Sequence, residues 1–496
     1  MEATIAAESP MTFAGPYVDV HETHTGVVVL AGDRAYKAKK PVVTDFLDFR
    51  TPAQREHACS REVELNSRLS PSSYLGVAHL DDPSGGPAEP VVVMRRYHDN
   101  DRLSAMIASG KSVEGVLDRI AETLAGFHSR ALRSPAISAQ GEVRAVDHRW
   151  RANLSELRRY AAISTLLGES IDRIEHLAAE FSWGRGPLFT RRIADGCIVD
   201  GHGDLLADDI FCPGNDLALL DCLEFDDQLR YIDRIDDAAF LAMDLEFLGR
   251  RDLGDYFLER YCTYATDRAP SSLRDFYIAY RAVVRAKVEC VRLSQGKSEA
   301  AANAARHVAI ATQHLEKGAV RLVVIGGSPG TGKSTLARGL AERVEAQVIS
   351  TDDVRHQLRK SGRLAGEPGV LNEGLYSPDN VAAVYQVVLR RALTCLSNGQ
   401  SVVLDGTWSD PLNRAQARRL AAETHSALAE IVCSAAVETA AERITTRRPG
   451  HSDVTPQIAA TLAAGHGGWE TAHRMDTTQP LEDSLREAHK IWLGAI

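Results

Sequence analysis

The chain has 496 residues, 44% hydrophobic and 25% charged, with a formal net charge of −10; this length exceeds one ordinary core and predicts at least two domains. No apolar run approaches the roughly 18 to 20 residues of a membrane span, so no membrane partner is expected. Residues 321 to 496 carry 19 Lys+Arg against 19 Asp+Glu, leaving 38 against 48 upstream, a balance that makes nucleic acid an unlikely partner and favours a small or neutral one.

The start, MEATIAAESPMTFAG, lacks the basic and apolar regions of a secretory signal. The eight cysteines contain no CxxC pair, which excludes a disulfide framework or zinc cage and predicts reduced thiols in a cytoplasmic protein. The oligomeric state is not legible. GVVVL, AGDR and AYKAKK read as a hairpin and PVVVM as a later strand, with a helix over TPAQREHACSREVELNSRL between them. From Arg102 onward helical periodicity dominates (SVEGVLDRIAETLAGFHSRAL, NLSELRRYAAIST, SIDRIEHLAAEFSW), broken by a β-like island over Cys197 to Phe225. Helices resume through SEAAANAARHVAIATQHLEKG, and Gly318 ends them ahead of a strand, which places the boundary between a domain at 1–318 (sheet lobe about 1–95) and one at 319–496.

RLVVIG followed by GSPGTGKST has the order a phosphate site requires. A strand leads into a loop whose glycines turn backbone N–H groups inward, and a helix N-terminus faces the anion. This Walker A pattern predicts ATP on Gly327, Ser328, Pro329, Gly330, Thr331, Gly332, Lys333, Ser334 and Thr335, with Lys333 on the β/γ phosphates and Ser334 on Mg²⁺. AQVIS is a second strand, and TDDVR at its carboxyl end puts Asp352 and Asp353 toward the loop, either as an acceptor base with Arg355 as a clamp or as caps of a helix beginning at Val354. A third strand, SVVLD, ends at Asp405, a carboxylate suited to Mg²⁺ through water. AAERITTRRPGHSDVT sets Arg443 and Arg447 four apart on a helix that reads as a lid.

The GSPGTGKST loop, the STDDVR segment and the ER...R lid resemble the polynucleotide-kinase and gluconate-kinase-like branch of P-loop kinases over residues 320 to 490. The resemblance implies an α/β P-loop NTPase with a parallel sheet, Asp352 as general base, Arg355 as acceptor clamp and Arg447 as lid arginine. It implies transfer to a hydroxyl of a small molecule, and leaves a nucleic-acid 5′-hydroxyl as the alternative acceptor.

Upstream, VDGHGDLLADDIFC and LALLDCLEFDD gather Asp204, Asp209 and Asp221, and three converging carboxylates call for Mg²⁺. This part is similar to the aminoglycoside phosphotransferase and choline kinase family over about residues 20 to 295, which implies an α+β bilobal, protein-kinase-like fold. By that likeness His202 is the loop residue, Asp204 the base and Asp221 a metal ligand. Asp209 stands where the family has Asn, and a glycine-rich roof is absent apart from Gly26. The nucleotide lysine is Lys37 or Lys39, on one face of a strand, with Glu62 as its partner. The domain is then either a second kinase or a nucleotide-binding pseudokinase. Isolated histidines, His128 among them, read as surface or capping residues, and Trp150, Trp183, Trp408, Trp469 and Trp492 as packing.

Overall fold

The computed structural model describes residues 17–22, 26–43, 48–160, 165–367, 373–446 and 469–496. By contacts the chain forms two compact units interleaved in sequence, one of 1–145, 192–269 and 277–311, the other of 146–191, 270–276 and 312–496. This division differs from a single cut at Gly318. In the second unit Phe181 stacks on Phe276 with ring centroids 4.4 Å apart, and the buried Arg185 donates to the carbonyls of Leu396 and His425. Such pairings join segments far apart in sequence, which periodicity cannot show.

In the first unit five strands pair antiparallel in the order β1-β2-β3-β5-β4: β1 Val18–Glu22, β2 Gly26–Ala31, β3 Arg34–Lys39, β4 Tyr74–Leu80 and β5 Glu89–Arg95. The expected hairpin is β2-β3; β1 and β4 are additional. The helix Pro52–Asn66 starts at a capping box made by Thr51 and Gln54. Its Cys59 packs with Tyr74 and Val92 of the sheet. Two short ribbons follow, β6 Ile198–Asp200 with β9 Tyr231–Asp233, and β7 Ile210–Phe211 with β8 Ala218–Leu219.

The second unit holds a wholly parallel sheet, order β11-β12-β10-β13-β14: β10 Arg321–Gly326, β11 Gln347–Ser350, β12 Val402–Asp405, β13 Ala427–Ser434 and β14 His473–Asp476. All six residues of β10 are buried, the pattern of a central strand covered on both faces. Val323, Ile325, Leu336, Leu340, Val403, Ile431 and Met475 form one core with Trp492. β13 carries a buried glutamate, Glu430, held by both arms of Arg418 at 2.9 Å. Among the described residues no helix is long and apolar enough to cross a membrane.

Candidate active site

The loop after β10 is built on left-handed glycines, with φ of +139° at Gly327, +83° at Gly330 and +78° at Gly332. A Cβ on Gly330 would lie 2.5 Å from the carbonyl oxygen of Ala440, so the loop is backed closely by the helix Val437–Thr445. Gly327 donates its N–H to the Thr407 carbonyl (3.2 Å), and the Thr477 hydroxyl donates to the Thr331 carbonyl (2.6 Å). The helix Lys333–Val344 begins at Gly332, bringing Lys333 and Ser334 to its first turn, where the dipole favours an anion.

Asp405, at the carboxyl end of β12, is buried, and its Oδ1 has no hydrogen-bond partner among the described residues. Burial raises its pKa; Lys333 and Ser334 pull it back, and Asp352 pushes it up again. An orphaned carboxylate oxygen beside a phosphate loop, in a set made only of oxygen donors, fits Mg²⁺.

Ser350 ends β11 and caps the helix Thr351–Lys360, accepting from the Asp352 N–H. The helix therefore starts before Val354, and Asp352 and Asp353 sit in its first turn instead of capping it. The Asp352 carboxylate takes a 2.6 Å hydrogen bond from Arg355. Arg355 lies over the Tyr376 ring, 4.6 Å from its centroid, and its buried Nε has no partner among the described residues. Arg443 reaches the Thr477 carbonyl (2.9 Å) and passes 3.5 Å from where a Cβ of Gly332 would sit. It stands at the loop, whereas Arg447 lies outside the described residues. Thr407, Tyr385 and Thr477 support the loop without having been singled out from sequence. The only signal was GTW after the strand, since Trp408 is buried at φ +53° and donates its N–H to the Tyr385 hydroxyl.

In the first unit Glu62 is fully buried and pairs with both candidate lysines: Lys37 Nζ at 2.9 Å from Oε1 and Lys39 Nζ at 2.6 Å from Oε2. Lys37 also binds Asp221 (3.0 Å) and Lys39 binds Glu224 (2.8 Å). Charges alternate along Asp221, Lys37, Glu62, Lys39 and Glu224. Burial works against the Lys37 ammonium, but Asp221, Glu62 and Glu224 outweigh it and raise its pKa well above the usual range. Glu224, missed from sequence, lies three residues after Asp221 in the acidic DCLEFDD run.

The HGD turn is held from behind. Asp237 accepts from the N–H groups of His202 (2.6 Å) and Gly203 (3.0 Å), and His128 Nε2 stands 3.0 Å from it. His128 is thus fully buried, against Asp237 and the Tyr261 hydroxyl (2.7 Å), not a surface residue; a buried carboxylate needs such donors. Asp209 and Asp221 flank the same end of the β7-β8 ribbon, where Leu220 donates to the Asp209 carbonyl (3.0 Å). Asp221 has φ +62°, a strained conformation for a residue with a side chain.

Among the described residues no three of His, Cys, Asp and Glu are arranged as a metal site. The predicted convergence of Asp204, Asp209 and Asp221 on one ion differs from this because Lys37 draws the Asp221 carboxylate into its ion pair and lowers its pKa. Burial pushes Asp204 up to about 6, with Asp221 adding and Arg285 and Arg281 opposing. Asp209 rises well above the usual range through burial and the charges of Asp221, Asp204 and Asp208. The donor set fits a hard cation provided Asp221 is released from Lys37.

A carboxyl with a raised native pKa binds its proton more readily folded than unfolded. Its contribution to stability is full below the ordinary value of 3.8 and is lost as pH rises through about 6. Asp204→Asn is therefore expected to melt above the wild-type protein at pH 7, with the gap closing toward pH 4. Melting midpoints across that range check it, and a gap independent of pH would remove Asp204 from the titration.

Residues 322–465, which carry the phosphate loop, Asp352 and Asp405, match a family model described as an AAA domain; the C-terminal sheet is that of a P-loop domain. The whole chain belongs to one family with uncharacterized proteins of Mycobacterium tuberculosis (strain ATCC 25618 / H37Rv) and Mycobacterium bovis (strain ATCC BAA-935 / AF2122/97), each 66% identical over 481 residues, 97% of this chain and 96% of the relative. Among solved structures, a putative kinase from Chloroflexus aurantiacus J-10-fl is 20% identical with TM-score 0.29, over 35% of this chain and 98% of its own. A gluconokinase from Sinorhizobium meliloti 1021 is 21% identical with TM-score 0.26, over 35% and 91%. A choline/ethanolamine kinase family protein from Mesorhizobium loti is 16% identical with TM-score 0.35, over 61% and 92%.

Proposed function

We propose that the protein is a cytoplasmic phosphotransferase that moves the γ-phosphoryl of ATP to a hydroxyl of a small molecule at the P-loop site. The observation that carries this reading is the buried Asp405 carboxylate, which interacts with Lys333 and Ser334 and keeps Oδ1 without a partner among the described residues, with Asp352 and Arg355 at the end of the neighbouring strand. Ser334 and Asp405 would hold Mg²⁺, which when bound neutralises charge on the β and γ oxygens. The loop N–H groups and Lys333 bind and orient the phosphates. The Asp352 carboxylate takes the acceptor's hydroxyl proton, and Arg355, still able to donate from Nε, holds the acceptor. Arg443, already at the loop, stabilises charge on the group in transit, joined in this reading by Arg447.

The first unit is read as a bilobal, kinase-like nucleotide site built on Lys37, Lys39, Glu62, Asp204, Asp209 and Asp221, within a sequence-defined domain ending near Gly318. One observation favours binding without turnover there: Lys37 is paired with Asp221, so a metal at Asp221 has first to break that ion pair.

An ADP-release screen over sugars, sugar acids, aminoglycosides, nucleosides and 5′-hydroxyl oligonucleotides, run on wild type, Lys333→Ala and Asp204→Ala, tests both readings. Acceptor-dependent release lost in Lys333→Ala and kept in Asp204→Ala is expected. Release untouched by Lys333→Ala would sink the P-loop assignment, a second activity lost only in Asp204→Ala would make the first unit an enzyme, and turnover on oligonucleotides alone would replace the small acceptor.

A further inference from the structure

The antiparallel sheet of the first unit ends on β1, which pairs with β2 on one side and, among the described residues, with no strand on the other. The other edge, β4, is blunted, since its register with β5 shifts between Tyr74 and Gly76. β1 has no such guard. Its five residues pair with β2 in unbroken register, and Val18 and Val20 are 52% and 56% exposed. A regular edge carrying exposed valines is a template for another strand.

The groups that this edge offers follow from alternation. Gly32 donates its N–H to the Tyr17 carbonyl (3.1 Å), one step beyond the Val18–Ala31 pair, so Asp19 and His21 also turn their backbone groups toward β2. Val18, Val20 and Glu22 therefore turn theirs outward. The Val20 N–H bears this out, because it donates to the Asp19 carboxylate (2.9 Å) where a neighbouring strand would supply a carbonyl. The other Asp19 oxygen lies 3.2 Å from His21 Nε2, and Glu22 is held by Lys40 at 2.6 Å.

We propose that this edge joins a second copy of the chain, β1 against β1, antiparallel about a two-fold axis at Val20. Charge selects the register. Centring on Asp19 sets two carboxylates against each other, centring on His21 sets two imidazoles, and centring on Val18 or Glu22 pairs only part of the strand. Centring on Val20 pairs the whole strand and places Asp19 against His21 of the partner subunit, twice by symmetry. Those two residues then form the close, non-hydrogen-bonded pairs, with Cα atoms about 4.5 Å apart, where a carboxylate meets an imidazole. The Asp19 oxygen gives up the Val20 N–H, which turns to a carbonyl of the second copy. About six backbone hydrogen bonds with little apolar area make a weak, reversible dimer.

Sedimentation velocity of the full chain at about 5 and about 500 µM, a range that brackets a weak association, is expected to show monomer giving way to dimer. Val20→Pro removes an N–H that β2 does not use and obstructs an approaching strand, and is expected to weaken dimerisation about tenfold or more. Asp19→His, which opposes imidazole to imidazole, is expected to weaken it as well. Asp19→His combined with His21→Asp exchanges the two charges and is expected to restore it to within about threefold of wild type. The exchange keeps the test decisive where proline disturbs β1. A chain that stays monomeric at the higher concentration leaves the edge to some other occupant and overturns the proposal. So does a dimer indifferent to Val20→Pro, or an exchange variant no tighter than Asp19→His. Sedimentation reads mass and not turnover, so the outcome stands apart from the phosphotransferase reading.

Discussion

Glu62→Ala is expected to be the most destabilising single substitution in the first unit, at about 3 to 5 kcal/mol, the usual cost of removing one partner from a buried ion pair. The side chain contributes few apolar contacts, so the loss is electrostatic. Two ammonium groups, 17% and 2% exposed at the side chain, lose the carboxylate that both share at 2.9 and 2.6 Å. Asp221 and Glu224 remain at the two ends, which keeps the cost from doubling. The double variant Glu62→Leu with Lys39→Met, which removes one stranded cation together with its partner, should recover part of the loss. Urea unfolding of the three proteins checks both statements. A loss under about 1 kcal/mol for Glu62→Ala would mean that the alternating charges are held by solvent and not by one another.

Asp352→Asn is expected to slow phosphoryl transfer at the P-loop site by about 10² to 10⁴, the range of a positioned general base. Nucleotide affinity should stay within a few-fold, because Asn keeps the volume and can still accept from Arg355, now 2.6 Å from Oδ1. Single-turnover transfer to the acceptor, measured in an Asp204→Ala background, isolates this site. If the rate falls less than about threefold, Asp352 only orients Arg355, and the acceptor proton leaves by another route.

The phosphate loop was legible because its chemistry is local: glycines at left-handed φ, a preceding apolar strand and a following helix occupy adjacent residues. The strands ending at Ser350 and Asp405 were legible for the same reason. β13 escaped notice because Glu430 interrupts its apolar run, and its tolerance of that charge depends on Arg418 from the preceding helix. Lys37 and Lys39 could not be ranked by strand parity, and the structure uses both, since one carboxylate has two oxygens to offer. The grouping of 146–191 with the parallel sheet rests on contacts such as Arg185 with the Leu396 carbonyl, which no period or motif announces.

Asp237 has a consequence that concerns hydrogen-bond polarity. Its carboxylate is kept ionised by the donors around it: burial would raise its pKa, but His128, His202 and the turn's N–H groups hold it well below the usual range. A side chain that only accepts obliges His128 to present N–H from Nε2, while the Tyr261 hydroxyl stands 2.7 Å from Nδ1. Donor direction is thereby settled at Asp237, which accepts from His128 on one side and from the backbone of the HGD turn on the other. Asparagine would fit the same space with one acceptor and an unwanted donor. The position of Asp204 thus depends on the polarity of Asp237, whose carboxylate holds the two residues that precede it in the turn.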